Sequence, residues 1–153
     1  MNENTKIRIT NRWRFLDQEQ DPCGVVSQHM EVLYLNAAAR LLIPADWFGR
    51  RCWQAFPVQD DRCASRCLAV WAVGHSDEIV YCEETIYPGS AGPILVGVAV
   101  TPLGNKQADG EQAILLLRPK PADSAGDDFE RVLLEDAKRL QSLSSAHIKT
   151  DAD

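Results

Sequence analysis

No apolar run in this 153-residue sequence is long enough to cross a membrane as a helix. The longest, ILVGVAV at 94–100, is far shorter than the roughly 20 residues that a membrane-spanning helix needs. The N-terminal residues MNENTKIRITNRWRF also lack the apolar core of a signal peptide. We therefore predict a cytoplasmic location, where thiols are normally kept reduced.

Basic residues are scarce relative to acidic ones. The chain has 16 lysines and arginines against 22 aspartates and glutamates, which gives a formal net charge of −6 at pH 7. A nucleic-acid-binding domain usually concentrates basic residues on one face, and the densest basic run here is Arg50-Arg51. The composition argues against direct binding to DNA or RNA.

Signatures of the common enzyme classes are missing as well. The sequence contains no G-x-S-x-G elbow, no P-loop and no H-E-x-x-H zinc motif. Glu83 and Glu84 are adjacent on a predicted strand, where successive side chains point to opposite faces, so they cannot act as a carboxylate pair. We predict that the chain is not an enzyme; a small-molecule enzyme on an α+β fold is the least favoured of the classes considered below.

The N-terminal part contains signals for short elements. A helix is predicted over 6–20, with Ile7, Trp13 and Leu16 as apolar contacts. The stretches CGVVSQ and EVLYLN then read as two strands. Asn36 suits the N-cap of a short helix over 37–43, which stops at Pro44.

The later part of the chain is rich in strands. DEIVYCEETIY, ILVGVAVTPL and EQAILLLRP are predicted strands, joined by turns at 89–93 and 104–110. Together with the earlier elements they predict an α+β fold: a five-stranded antiparallel sheet with short helices on one face and flanking N- and C-terminal helices.

These strands are apolar on both faces, which requires a cover on each side. A sheet with one solvated face should alternate apolar and polar residues, and ILVGVAV does not. The predicted cover is a second copy of the chain or the helix at 127–148, whose apolar stripe is spaced by three and four residues: Phe129, Val132, Leu133, Ala137, Leu140 and Leu143.

The stretch EVLYLNAAARLLIPADWFGRRCWQAFP at 31–57 resembles the PAS domain family, from its second strand into its helical segment. The residues that carry the match are Asn36, Ala38, Ala39, Leu42, Gly49 and Phe56. The resemblance covers roughly residues 22–119. It implies a PAS-like domain there, with an N-terminal helical cap at 1–21, a linker at 120–126, an amphipathic helix at 127–148 and a disordered tail at 149–153.

The cysteines resemble those of one subgroup of bacterial sensory PAS modules. That subgroup has a Cys just after the helical Gly and a downstream Cys-x-x-Cys-Pro. Cys52 and Cys63 match the first two positions, whereas Cys67 follows Cys63 after three residues and Leu68 replaces the proline.

Three uses of these thiols remain open from the sequence. On a helix, Cys63 and Cys67 would share one face with Cβ atoms about 6 Å apart, and Cys52 could approach them as ligands of zinc or an iron–sulfur cluster. A fourth ligand could come from His75, Cys82 or Cys23. Alternatively the thiols are redox-active, favoured as thiolates by nearby arginines, or they simply pack as small apolar groups.

The aromatic residues around these thiols suggest a ligand pocket. The candidate lining residues are Trp47, Cys52, Trp53, Phe56, Cys63, Cys67 and Trp71. They could hold a planar ligand or a haem, for which His75 is a candidate axial ligand by analogy with haem-binding PAS modules. The alternative is that the aromatics form core and that His75 lies on an exposed loop.

The resemblance implies a sensory and protein-interaction module that senses a small ligand, a cofactor state or a redox change. The message would pass to a homodimer or a signalling partner through the helix 127–148, with Phe129, Val132, Leu133 and Leu140 as interaction residues. The alternatives are a non-sensing PAS scaffold and a Cys-ligated metal or iron–sulfur sensor. The sequence leaves the cofactor undecided between none, haem, an iron–sulfur cluster and zinc.

Overall fold

The computed structural model describes residues 3–27, 29, 31–43, 46–51, 78–87, 92–107, 110–121 and 126–152. Its helices are α1 (Glu3–Trp13, continued by a 3₁₀ helix, Arg14–Gln18), α2 (Ala37–Arg40) and α3 (Gly126–Ala152). Its strands are β1 (Cys23–Ser27), β2 (Val32–Leu35), β3 (Val80–Ile86), β4 (Ile94–Gln107) and β5 (Gly110–Pro119).

The strands form one antiparallel sheet in the order β2-β1-β5-β4-β3. β1 and β5, which lie far apart in sequence, pair from Cys23 opposite Leu116 to Ser27 opposite Gln112. The predicted α+β fold with a five-stranded antiparallel sheet is therefore confirmed.

Each face of the sheet carries its own apolar cluster. We call the face that packs against α2 and Trp47 the inner face; its buried residues are Val26, Val32, Leu35, Ala39, Ile43, Ile86, Val96, Val100, Ala113, Leu115 and Leu117. The opposite, outer face carries Cys23, Val25, Leu33, Tyr34, Ala99, Leu103, Ile114 and Leu116.

The chain's own terminal helices cover the outer face. Leu133, Ala137 and Leu140 of α3 and Ile9 and Trp13 of α1 are buried in the outer cluster. The strands thus bury apolar residues on both faces, as their lack of alternation predicts. The sequence left two alternatives for covering this face, a second copy of the chain and the C-terminal helix, and in the structure the C-terminal helix α3 packs on it.

Several predicted details differ from the structure. Ile7, predicted to make an apolar contact, is 54% exposed. The buried isoleucine of α1 is Ile9, two residues later. Val132 and Leu143, assigned to the apolar stripe of α3, are 40% and 41% exposed because the face against the sheet is narrower than the pattern suggests.

Four predicted boundaries also differ from the structure. The helix predicted at 6–20 begins at Glu3 and passes into 3₁₀ geometry after Trp13, and α2 ends at Arg40 instead of 43. β4 runs through the predicted turn at 104–110 as far as Gln107, past an irregularity in its pairing with β5. Residues 149–152, expected in a disordered tail, continue α3.

Asn36 joins three parts of the fold through its fully buried side chain. Its Oδ1 accepts hydrogen bonds from the backbone N–H of Cys23 (2.9 Å) and of Ala39 (3.0 Å), the second of which confirms the predicted N-cap. Its Nδ2 donates to the carbonyl oxygens of Leu16 and Asp21, both at 3.0 Å. One amide therefore fixes β1, α2 and the segment after α1.

No helix in the described part of the chain is both long and apolar enough to span a bilayer.

Replacing Asn36 should be costly because it leaves several buried backbone groups without partners. We expect Asn36→Ala to lower the free energy of unfolding by about 3 kcal/mol or more, since each such group costs roughly 1–3 kcal/mol. Asn11→Ala, at an exposed position of α1, should change it by less than about 0.5 kcal/mol. Urea unfolding followed by circular dichroism measures both, and equal effects would contradict the role given to Asn36.

Candidate functional site

The predicted ligand pocket is described only at one of its residues. Trp47 is half-buried and packs against the inner cluster. Cys52, Trp53, Phe56, Cys63, Cys67 and Trp71 lie outside the described residues, as does His75. The pocket and its thiol site therefore stay predictions, and Trp47 is the one residue of the pocket that the structure locates.

The segment that leads into this region is held against the start of β2. Gly49 donates its backbone N–H to the carbonyl of Val32, and Val32 donates to the carbonyl of Arg50, both at 2.8 Å. Gly49 has φ of 79°, a left-handed conformation that glycine adopts without strain. Arg51 pairs with Glu31 in an isolated β-bridge. Cys52 follows directly from this fixed segment.

Cys82, one of the candidate fourth ligands, lies on the inner face. It is half-buried on the edge strand β3, opposite Val98, which packs against the inner cluster. Because side chains alternate along a strand, Cys82 shares this face with Val80 and Ile86. It is therefore on the same side of the sheet as Trp47.

Cys23, another candidate ligand, lies on the other side of the sheet. It is fully buried in the outer cluster, and its thiol donates to the carbonyl of Asp21 at 3.4 Å. Burial, reinforced by the negative charges of Glu19 and Asp21, raises the pKa of this thiol far above its usual value. Cys23 is therefore a protonated, buried group on the opposite face of the sheet from Cys82. Its predicted use as a fourth ligand for Cys52, Cys63 and Cys67, which lie outside the described residues, stays a prediction.

The described residues contain no cluster of three or more His, Cys, Asp or Glu side chains able to hold a metal ion. The ligands predicted for zinc or an iron–sulfur cluster, Cys52, Cys63 and Cys67, lie outside them.

The helix α3 lies close against the sheet at Gly97 of β4. A Cβ atom at this position would lie 2.5 Å from Cε1 of Phe129 and 3.0 Å from the hydroxyl of Tyr81. Glycine is therefore required for the Phe129 ring to lie against the strand. This contact fixes the first turn of α3 on β4.

A set of ionic contacts, which we call the terminal clamp, joins both ends of the chain to β5. Its members are Glu19, Asp21, Arg118, Asp136 and Arg139. Arg118 of β5 donates to Asp21 and to Asp136 of α3, both at 2.6 Å. Arg139 of α3 forms two hydrogen bonds with the carboxylate of Glu19, each 3.0 Å. The carboxylate partners raise the pKa of both guanidinium groups, so the clamp keeps its charges at neutral pH.

A smaller network lies beside the Gly97 contact. Glu83 of β3 accepts hydrogen bonds from Lys120 at 2.6 Å and from the hydroxyl of Tyr81 at 2.8 Å. These two bonds lower the pKa of Glu83, while burial and the bond to Glu83 raise the pKa of Tyr81. The network orients the Tyr81 ring that borders Gly97.

The predicted interaction residues of α3 divide into two groups. Leu133 and Leu140 are fully buried against the chain's own sheet, and Phe129 is half-buried over Gly97. Only Val132 of the four is exposed enough to meet another molecule. The terminal clamp was not predicted, because its pairs are separated by 97 and 120 residues and leave no local pattern.

Comparison with known proteins shows the fold. No protein-family model and no curated protein sequence matches the chain. Three PAS domains of known structure are similar. That of an HTR-like protein from Haloarcula marismortui has a TM-score of 0.55 and 16% identity over 78% of this chain and all of that one. The PAS domain of BvgS from Bordetella pertussis has a TM-score of 0.55 and 15% identity, and the match covers 90% of this chain and 98% of that one.

The third similar structure is a PAS domain from a two-component sensor histidine kinase, with a TM-score of 0.54 and 13% identity over 76% and 99% of the two chains. The described residues thus adopt the PAS fold, as the resemblance at 31–57 and in the final strands predicts. The cysteine subgroup stays a prediction.

The buried, protonated state of Cys23 predicts that it resists alkylation. Treatment of the folded protein with iodoacetamide at pH 8 should leave Cys23 unmodified, because the thiolate is the reactive form. The tryptic peptide 15–40 contains no other cysteine, so mass spectrometry reads this residue alone. The urea-unfolded protein is the control and should be fully alkylated; modification at equal rates in both states would refute the assignment.

The close contact at Gly97 predicts an unfavourable effect of a larger residue there. Gly97→Val should lower the free energy of unfolding by about 1–3 kcal/mol, the usual cost of overpacking, although valine is the better strand former. Combining it with Phe129→Ala should give a total smaller than the sum of the single effects by more than about 0.5 kcal/mol. Additive effects in urea unfolding would show that the two residues do not meet.

The terminal clamp predicts different roles for two arginines. Arg118→Met should lower the free energy of unfolding by about 1–2 kcal/mol, because it leaves Asp21 and Asp136 partly buried without their cation. Arg131→Met is the matched control: its partners, Asp128 and Glu135, lie on the exposed surface of the same helix, so the cost should be below about 0.5 kcal/mol. Equal costs in thermal or urea unfolding would argue against the clamp.

Proposed function

We propose that this chain is a cytoplasmic PAS-type module that senses a small ligand, a cofactor state or a redox change at its inner face and relays it through its terminal helices to a second copy or a partner protein. The proposal assigns no catalytic reaction to the chain. It rests on the PAS fold and on the way in which both faces of the sheet share the same strands.

The observation that carries the proposal is the alternation along β4. Val96, Val98 and Val100 pack on the inner face, whereas Gly97 and Ala99 lie against the outer cluster and α3. A change in packing beside the valines would shift the same backbone on which Phe129 rests. Because packed interfaces tend to switch between discrete arrangements, such a shift can change how α3 docks.

The strand β5 supports a second route to the same helix. Leu117 is buried on the inner face, and its neighbour Arg118 holds Asp136 of α3 and Asp21 at the other end of the chain. Movement of this strand would therefore reach both terminal segments together. The relay is allosteric only if the signal binds or modifies two packing states unequally.

The candidate receiver of the signal is the predicted pocket region. Trp47 and Cys82 lie on the inner face, and Cys52, Cys63 and Cys67 are the predicted thiols. One structural neighbour is a PAS domain from a two-component sensor histidine kinase, which supports a signalling role by analogy of fold. Thiol redox, a Cys-ligated metal or cluster, and a bound small molecule are the signals to be separated by experiment.

The exposed apolar residues of the terminal helices support an output by association. Ile7 of α1 and Val132 and Leu143 of α3 are each at least 40% exposed. Val132 and Leu143 are 11 residues apart, close to three helical turns, so they lie on one side of α3. If a second copy of the chain or a partner protein covers these residues, a change in the position of the helix would alter that interface.

The test combines a spectrum with hydrogen exchange. Anaerobically purified protein is first examined for metal content and for absorption near 400 nm, the general region of haem and iron–sulfur bands. Backbone hydrogen exchange is then compared between the cofactor-loaded and depleted protein, or between the reduced and diamide-oxidised protein. We expect the exchange rate in 129–144 to change about tenfold, equivalent to a coupling free energy of about 1.4 kcal/mol.

Two variants identify the receiver. Cys52→Ser combined with Cys63→Ser should abolish a redox or metal response of α3, whereas Cys23→Ser, on the outer face, should retain it. Exchange in α3 that is identical under every condition would overturn the sensing proposal and leave a scaffold that only mediates association. A response that persists in the double variant would reject the thiols as the receiver.

Association predicts a concentration-dependent mass that depends on α3. Val132→Glu and Leu143→Glu together should weaken dimer formation at least tenfold, because a charge is placed in an apolar contact, with the free energy of unfolding of the monomer little changed. Leu41→Glu is the matched control, since Leu41 is 88% exposed at the end of α2. Sedimentation equilibrium measures all three proteins; a wild-type monomer at every concentration would remove the dimer.

A further inference from the structure

The outer face of the sheet changes from apolar to polar along its length. Toward Gly97 it is lined by Ala99 and Leu116, but the next rows contain Thr101 of β4 and Gln112 of β5. Both are at least 99% buried. Residues two apart on a strand point to the same face. Thr101 therefore shares the outer face with Ala99 and Leu103, and Gln112 shares it with Ile114.

These two residues are close neighbours on adjacent strands. Thr101 is opposite Ile114, and Gln112 is opposite Leu103, so Thr101 and Gln112 are diagonal neighbours on the same face. Diagonal pairs in an antiparallel sheet have Cα atoms about 7–8 Å apart, with the Cβ atoms somewhat nearer. This is a separation that one small hydrogen-bonding molecule can bridge.

The helix α3 adds a third polar group above the same rows. Ser144 follows Leu133, Ala137 and Leu140 on the buried stripe of α3 and is itself fully buried. Gln141, one turn earlier, donates to the carbonyl of Pro102 at 2.8 Å. This bond holds the part of α3 that precedes Ser144 against β4 at Pro102, the residue next to Thr101.

In the part of the chain that the structure describes, four polar groups of these side chains have no hydrogen-bond partner: the Thr101 hydroxyl, the amide oxygen and nitrogen of Gln112, and the Ser144 hydroxyl. The indole N–H of Trp13, buried in the same outer cluster, also has no acceptor there. Native proteins seldom leave buried polar groups unsatisfied. Thr101 and Gln112 are diagonal neighbours on the outer face, and Ser144 is on the buried side of α3, which packs on that face. Their unsatisfied polar groups indicate a built polar site.

We propose that the outer face contains an internal binding site, formed by Thr101, Gln112 and Ser144 and bordered by Trp13, for a small neutral molecule that carries hydroxyl groups. The three lining side chains and the indole are uncharged, and together they offer both donors and acceptors. A hydroxyl group donates one hydrogen bond and accepts up to two, so a molecule with more than one hydroxyl group can bond to the amide and to the side-chain hydroxyls together. Ordered water and a small polyol share this chemistry.

The site is on the opposite face of the sheet from Trp47, the one described residue of the predicted pocket. It is formed jointly by β4, β5 and α3, with Trp13 of α1 at its border, so its occupant would stabilise the docking of α3 beyond Leu140. The proposal does not depend on what signal the inner face receives.

Nuclear magnetic resonance on the full chain tests the occupant directly. We expect the side-chain amide protons of Gln112, assigned by their loss in Gln112→Met, to give water cross-peaks with the sign of a long-lived bound water. The exposed side chain of Gln18 is the control and should show only the weak signal of surface hydration. Glycerol is then titrated: a saturable shift of the Gln112 amide identifies a polyol site, and no shift identifies water as the occupant.

Stability of near-isosteric variants provides the second measurement. If the site is filled, Thr101→Val and Ser144→Ala should each lower the equilibrium constant for folding about tenfold, because the guest and its other partners lose a hydrogen bond. The double variant should be less destabilised than the sum, since both residues act through one guest. No long-lived water or glycerol signal at Gln112, together with Thr101→Val as stable as the wild type or more so, would overturn the proposal.

Discussion

The structure depends on one constraint: a five-stranded sheet whose strands are apolar on both faces must be covered twice. α2 and Trp47 pack on the inner face, and α1 and α3 cover the outer face. Burying apolar area is the main favourable term in folding, and here it also decides where the ends of the chain must lie. The termini become structural parts of the domain because the sheet cannot remain exposed.

In the proposed function, the same constraint gives the terminal helices a role in communication. Each central strand contributes one set of side chains to the inner cluster and the alternate set to the outer cluster, so neither cluster can rearrange without moving a shared backbone. Phe129 over Gly97 and Asp136 beside Arg118 attach α3 to two different strands. Asn36 and the terminal clamp attach the segment after α1 to the same assembly. Function and stability therefore draw on the same contacts.

The sequence predicted the features that repeat locally. A recognisable spacing of apolar residues predicted the strands that are apolar on both faces and the buried stripe of α3. A recognisable residue type predicted the N-cap at Asn36. Ile7 and Ile9 could not be ranked, because both fit an amphipathic pattern and only packing against β2 and α3 chooses between them. The connection predicted at 104–110 is shorter than that range, because β4 continues to Gln107, which pairs with Gly110 at the start of β5.

The candidate site was predictable only in part. Trp47 is on the inner face, as a pocket residue should be, and Cys82 is on the same side. Cys23 is on the other side, which a count of cysteines cannot reveal because the side of the sheet is set by strand register. Arg118 and Arg139 were missed because their partners are distant in sequence. The sequence around a single charged residue does not indicate which distant residue it will pair with.

The account's central claim is that α3 covers the outer face of its own sheet. Nuclear Overhauser effects between the Gly97 α protons and the Phe129 ring, recorded on a mixture of isotope-labelled and unlabelled chains, test it most directly. The account predicts that these effects occur within one chain and persist on dilution. Their absence, or their appearance only between chains with different labels, would contradict it.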